Sequence, residues 1–251
     1  MAKKETIFIY GKHALVEALQ NVPKAIEKVF LSSDSDKEIN DLLLKNKMTP
    51  SKFSGDNKGI DIERDASHQG IVAKISLEKL ILPYNDFIDH LKINKDTSLV
   101  LLAGLQDPHN VGAIIRSAAA FGSSGVIIPA QNQSPITGAV VKSSAGMAFR
   151  MPIVSINNIN ETIKDLKNRG FNIYGLEGES RNYISSEEFS EPSVFVMGNE
   201  SKGIEKETIE LCNKLISIPM DPRCESLNVA AAAAVALYSW SLKHKFPSLQ
   251  K

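Results

Sequence analysis

The sequence holds only two cysteines, Cys212 and Cys224. That is too few for a disulfide framework, and they form no CxxC metal pattern. Its five histidines (His13, His68, His90, His109 and His244) are scattered, with no HxxxH pair, which argues against a zinc site. No apolar run reaches the length of a membrane span. The nearest, residues 229–237, is mostly alanine and too short. The charged start Met1-Ala-Lys-Lys-Glu5 is followed by no apolar h-region, so no signal peptide is visible and a cytoplasmic location is expected. There is no GxGxxG, no GxxxxGK[ST] and no GxSxG. A Rossmann dinucleotide site, a P-loop and a hydrolase nucleophile elbow are therefore disfavoured. An excess of one charge is also missing. Lys plus Arg number 29 and Asp plus Glu number 29; residues 1–97 hold 15 of each sign, leaving 14 of each in 98–251. Net charge thus neither predicts nor excludes a nucleic-acid partner, because phosphate binding can rest on local patches.

What is present is an ordinary soluble composition, 43% hydrophobic and 23% charged, over 251 residues. A chain of that length can bury a core without staples. Strand-like and helix-like segments alternate. Residues 6–10, 26–31 and 71–75 read as strands, and residues 12–19 and 37–47 as helices. A polar, glycine-containing stretch precedes Ile71. Residues 1–77 therefore read as a small α/β or α+β domain. Residues 78–97, with Pro83-Tyr-Asn85 near the start and Asn94-Lys-Asp-Thr97 at the end, read as a linker carrying a short helix. From residue 98 the pattern sharpens. Strands are expected at 99–103, 126–128, 171–175, 194–197 and 215–219, and helices at 110–121, 204–212 and 226–243, with residues 164–169 closing another helix before Gly170. This alternation predicts an α/β domain over 98–251, a mostly parallel sheet with helices on both faces.

Open parallel sheets bind ligands at the carboxyl ends of their strands. Three polar blocks fall there: residues 104–116, 198–203 and 220–228. Each sits between a strand and a helix, so one rim of the sheet can hold all three. The absence of a glycine-rich phosphate cradle fits a ligand without phosphates.

The same blocks carry a resemblance. Asn110 followed six residues later by Arg116 resembles the first motif of the SpoU (TrmH) family of RNA methyltransferases. Phe195-Val-Met-Gly-Asn-Glu-Ser-Lys-Gly-Ile204 resembles the second. Ile216-Ser-Ile-Pro-Met220 with Ser226-Leu-Asn-Val-Ala230 resembles the third. Any one is weak; the three in order are specific. Tyr10-Gly-Lys-His-Ala-Leu-Val-Glu-Ala-Leu19 and His68-Gln-Gly-Ile71 resemble the L30e-like RNA-binding domain of one subgroup. That subgroup methylates a guanosine in the peptidyl-transferase region of 23S ribosomal RNA. The resemblance implies transfer of a methyl group from S-adenosylmethionine (SAM) to a ribose 2′-hydroxyl, a homodimer, no metal, no membrane, and a deep C-terminal trefoil knot. Topology rules alone would lead to an unknotted sheet. The same blocks occur in tRNA guanosine methyltransferases and in thiostrepton-resistance rRNA methyltransferases. A non-catalytic RNA-binding or ribosome-assembly protein on the same fold is a further alternative.

Roles follow from the resemblance, each beside a plainer reading. Arg116 would act on the 2′-hydroxyl. Arginine is essentially never deprotonated, so binding the adjacent phosphate, which orients and acidifies the hydroxyl, is the sounder role; the plain alternative is a helix-surface arginine. Asn110 would hold RNA or fix Arg116, or simply cap its helix. Glu200 would bond ribose or position Asn228 or Arg116, or be a solvated turn residue. Gly198 would let backbone approach the cofactor. Ile218, Met220 and Leu227 would line the SAM pocket, or pack the core. Ser226 and Asn228 open the last helix, where Ser226 would serve as its cap or join Asn228 at the site. His109, although histidine is a common general base, reads as a bystander, and Cys224 as a loop cysteine.

Overall fold

The computed structural model describes residues 5–32, 37–53 and 68–244. The first described third builds a four-stranded sheet. Its elements are β1 (Thr6–Tyr10), α1 (Lys12–Asn21), β2 (Ile26–Leu31), α2 (Lys37–Lys45), β3 (Ser51–Lys52) and β4 (Ile71–Ser76). The strand order is β1-β4-β2-β3, with β4 antiparallel to both β1 and β2. Much of the polar stretch before Ile71 lies outside the described residues.

The rest of the chain adds β5 (Ile81–Pro83), α3 (Tyr84–Ile88), β6 (Ser98–Ala103), α4 (Pro108–Ala120), β7 (Gly125–Pro129) and α5 (Gly138–Ser143). Then come β8 (Ile153–Ile156), α6 (Ile159–Asn168), β9 (Asn172–Leu176), β10 (Ser193–Gly198), α7 (Lys206–Leu211), β11 (Lys214–Ile216) and α8 (Val229–Ser241). Seven strands form one sheet in the order β11-β9-β10-β6-β7-β8-β5, and every neighbouring pair is parallel. The expected α/β architecture is what folds.

The continuous apolar runs have a simple cause. Successive side chains of a strand point to opposite faces. In β6, Leu99 and Leu101 join a cluster with Ile127, Val154, Ile163 and Ile173, while Val100 and Leu102 join the cluster that includes Ile114, Val140 and Leu237. Both faces are covered by helices, so both sets must be apolar.

Several boundaries move. Residues 78–97 carry the short helix α3, and they also supply β5, an edge strand whose Pro83 suits that position. The helix expected from Asn110 begins at Pro108. The last helix begins at Val229, not Ser226, and the last strand stops at Ile216. The strands β3 and β8 and the helix α5 were not legible as elements.

The small sheet packs on the large one through α5 and the turn after it. One apolar cluster runs through both, from Ile9 and Leu15 to Val140 and Phe149. Arg150 grips Glu17 bidentately, at 2.6 and 2.9 Å, and the Lys142 ammonium lies 5.5 Å from the Tyr10 ring centroid.

Helices α4 and α5 approach closely because Gly112 has no side chain. A Cβ there would stand 1.9 Å from Ser143 Oγ and 2.6 Å from the Val140 carbonyl. We therefore expect Gly112→Ala to push the two helices apart and destabilise the fold by about 1–3 kcal/mol, the usual cost of overpacking. The urea unfolding midpoint checks this; an unchanged midpoint would show that the helices separate freely.

Candidate active site at the strand rim

Strands β6 and β10 pair in parallel, with Met197 opposite Leu102 and Gly198 opposite Ala103. They end flush, so the loops after them leave the sheet side by side. Glu200, in the loop after β10, reaches across to the loop after β6. Its Oε2 accepts from the Gln106 backbone N–H at 3.2 Å, and its Oε1 from the Asp107 N–H at 3.3 Å and from Asn110 Nδ2 at 3.1 Å. Asn110 Oδ1 in turn accepts from Asn228 Nδ2 at 3.0 Å. Asn228 Oδ1 accepts from the Ala230 and Ala231 N–H groups and caps α8. Three loops, far apart in sequence, are thereby joined in one chain of side chains: Glu200, Asn110, Asn228.

Helix ends explain part of this. Asp107 is the N-cap of α4, accepting from the His109 N–H at 2.8 Å, and Pro108 occupies the first helical position, where a missing N–H costs nothing. Asn110 is thus not the cap, and its amide is free for Glu200 and Asn228. In α8 the cap is Asn228, not Ser226. Ser226 is exposed, and its carbonyl accepts from Cys224 Sγ at 3.2 Å. The Asp-Pro pair after an apolar run was a sequence signal for this helix start. Nothing comparable marked Gln106, whose backbone supplies one of the bonds to Glu200.

The electrostatics of Glu200 bear on its role. Burial disfavours its charged form, but bonds from the Asn110 amide and from the backbone N–H groups of Glu200 itself, Gln106 and Asp107 outweigh that and hold its pKa below the ordinary glutamate value. Such a carboxylate is ionised at neutral pH and is a weak base. It is suited to accepting hydrogen bonds and poorly suited to taking a proton from a hydroxyl.

The structure does not bring Arg116 into this chain. It lies six residues beyond Asn110, about 9 Å further along the helix axis and about 120° around it. It is exposed, and its side chain has no hydrogen-bond or ion-pair partner among the described residues. His109 is exposed, and its backbone N–H serves the cap. Gly198 is required by its own loop, since a Cβ there would stand 2.4 Å from Gly203 C and 2.6 Å from Ile204 N.

Ile218, Met220 and Leu227 flank the rim on the segment between β11 and α8. Ile218 and Met220 are partly buried, and Leu227 is 37% exposed. Their backbone N–H groups have no partner among the described residues. Open apolar surface beside free backbone donors suits a ligand with a flat heterocycle. Among the described residues no group of three His, Cys, Asp or Glu is placed to hold a metal ion, and no helix is long and apolar enough to cross a membrane.

Comparison with known proteins fits this picture. The SpoU rRNA Methylase family model matches residues 97–238, and the model for RNA 2′-O ribose methyltransferase substrate binding matches residues 8–80. The chain is 32% identical over 247 residues to the 23S rRNA (guanosine-2′-O-)-methyltransferase RlmB of Xanthomonas axonopodis pv. citri, covering 94% of this chain and 96% of that protein. It is 31% identical over 250 residues to an uncharacterized tRNA/rRNA methyltransferase of Synechocystis sp., covering 94% of this chain and 62% of that longer protein. The fold matches that of the SpoU methyltransferase AviRb from Streptomyces viridochromogenes, crystallised with the cofactor AdoMet, with a TM-score of 0.79 and 23% identity over 95% of this chain and 90% of that one. With a family model covering more than half its length and relatives above 30% identity across nearly all of it, the chain belongs to the SpoU rRNA methylase family.

Proposed function

We propose that this protein transfers the methyl group of SAM to the ribose 2′-hydroxyl of a guanosine in 23S ribosomal RNA, acting in the cytoplasm as a homodimer. The observation that carries the reading is the Glu200–Asn110–Asn228 chain, which gathers the three family motifs at one rim. SAM supplies a methyl group already activated on a sulfonium. The protein's task is then to place a hydroxyl oxygen in line with it and to let the hydroxyl proton pass to solvent as the new bond forms.

The residues divide that task. Ile218, Met220, Leu227 and Ser226, with the backbone around Gly198, form the cofactor wall. Asn110 and Asn228, held by Glu200, present fixed amides to the ribose. Arg116, exposed and unpaired among the described residues, is free to fork onto a phosphate beside the target. A guanidinium there lowers the pKa of the neighbouring hydroxyl without itself losing a proton. Residues 1–77 form the RNA-holding domain, joined through 78–97 to the catalytic domain 98–251. A knotted passage of the segment after β11 belongs to the same reading. Its support is the tight wrapping of that segment: Ser217 donates its N–H to Asn182 O and its Oγ to Ser180 O, while its carbonyl accepts from Ile184 N–H.

The homodimer has support on α8. Val235 and Tyr238 on this helix and Leu242 at its C-cap are exposed by 36%, 51% and 68%, spaced three and four residues apart on one stripe. Phe121 packs edge-on against Tyr238 at 5.8 Å. An apolar stripe of this kind marks a contact surface.

Tritiated SAM incubated with 23S ribosomal RNA, ribosomal particles and tRNA, followed by mapping of the label, tests the activity. Label in a 23S guanosine 2′-oxygen is expected; label only in tRNA, or none, overturns the proposal. Arg116→Ala should lower transfer by about 10²-fold or more and leave SAM affinity within about threefold, read by single-turnover kinetics and calorimetry. Wild-type turnover in that variant would remove Arg116 from the mechanism. Tyr238→Glu combined with Leu242→Glu should convert a dimer to a monomer in light scattering; a monomeric wild type at micromolar concentration would remove α8 as a dimer surface.

A further inference from the structure

We propose that Asn199 is a positioning residue for methyl transfer. Its side-chain amide sets the gap between the loop carrying Glu200 and the loop carrying Gln106 and Asp107, and so aims the Glu200–Asn110–Asn228 chain. This rests on the reading of the rim given above.

The Asn199 amide works in two directions. Its Oδ1 accepts from the Ser201 N–H at 3.0 Å and the Lys202 N–H at 3.1 Å, closing the turn after β10. The backbones of Asn199 and Gly203 exchange two bonds of 2.9 Å and brace that turn. Its Nδ2 crosses to the Gly104 carbonyl at 2.7 Å, shorter than any of the bonds Glu200 makes to the same loop. Gly104 O is a junction: it also accepts from Gln106 Nε2 at 3.0 Å, and that nitrogen reaches Asn132 O at 3.0 Å. One amide thus ties the loop after β10 to the loop after β6, and through Gln106 to the loop after β7.

The distances show why Glu200 depends on this tie. Its bonds to Gln106 and Asp107 are 3.2 and 3.3 Å, at or beyond the long end of the usual range of about 2.7–3.2 Å. A small retreat of either loop would break them. The Glu200 carboxylate cannot hold the gap by itself; the shorter Asn199 bond does. Asn199 makes no hydrogen bond to residues 216–228, and the variants below keep an acceptor for the turn that follows Gly198, so SAM affinity should stay close to that of the wild type.

Two substitutions isolate the tie. Asn199→Asp keeps an acceptor for the turn but sets a carboxylate oxygen against the Gly104 carbonyl. Asn199→Ser keeps a short acceptor, adds no charge and cannot span the gap. Both are compared with Glu200→Gln and with the Asn199→Ser/Glu200→Gln double variant in the full-length protein. The measurements are single-turnover methyl transfer from labelled SAM to 23S ribosomal RNA, SAM binding by calorimetry, and thermal unfolding. The expected result is a loss of about 10- to 100-fold in rate for each Asn199 variant, with SAM affinity within about threefold and little change in melting temperature. The double variant should be no more than about threefold slower than Glu200→Gln, because the two residues act on one element. Asn199→Ser with a wild-type rate beside an impaired Glu200→Gln overturns the role of Asn199 alone. So do losses that multiply in the double variant, or a rate loss matched by an equal loss of SAM affinity. A wild-type rate in Glu200→Gln overturns the reading of the rim, and this proposal with it.

Discussion

The site depends on one constraint, the parallel pairing of β10 with β6 in a register that ends both strands at the same height. Gly198 lies opposite Ala103, so the next residues of each chain emerge side by side. A shift by one residue would turn Glu200 away and send each side chain of the slipped strand to the opposite face of the sheet. Because Leu99 to Leu102 and Val194 to Met197 are packed on both faces, that slip would place each of them in a space shaped for a different neighbour. The hydrophobic core therefore enforces the geometry of the polar rim.

On that base the rim assembles by a short relay. Asn199 ties two loops, Glu200 bonds two backbone donors of one of them and the Asn110 amide on α4, Asn110 passes the contact to Asn228, and Asn228 caps α8. The charge on Glu200 is compensated by N–H groups, not by a cation. The consequence is a carboxylate that organises amides and is a weak base. Arg116 stands exposed on another side of α4, outside this chain of contacts.

The neutral composition is consistent with a protein that holds RNA through placement of a few groups. The small sheet is fixed to the large one by Glu17 with Arg150 and by apolar packing around Ile9, Leu15 and Val140. A substrate contacting both sheets would meet one continuous body, and recognition of folded RNA rests largely on such shape.

Much of this was legible in the chain. Apolar runs bounded by polar turns marked the central strands, since a strand covered on both faces must be apolar at every position. The spacing of Asn110, Glu200 and Asn228 relative to those strands placed all three at one rim. Local sequence did not reveal β5, whose pairing with β8 depends on residues some seventy positions away, or α5, which is short and stands out only through its contact with Gly112. The Asp107-Pro108 pair signalled the start of α4, but local sequence did not show that Asn228 and not Ser226 caps α8, because the choice among neighbouring polar residues is settled by which one faces the open N–H groups. The sequence by itself determined the order of strands and helices and the presence of the three polar blocks, because periodicity and turn residues are local. Only the tertiary structure decided that Glu200 bonds Asn110 and not Arg116, and that Asn199 bridges to Gly104, because such contacts depend on strand register and on the rotation of a helix about its axis.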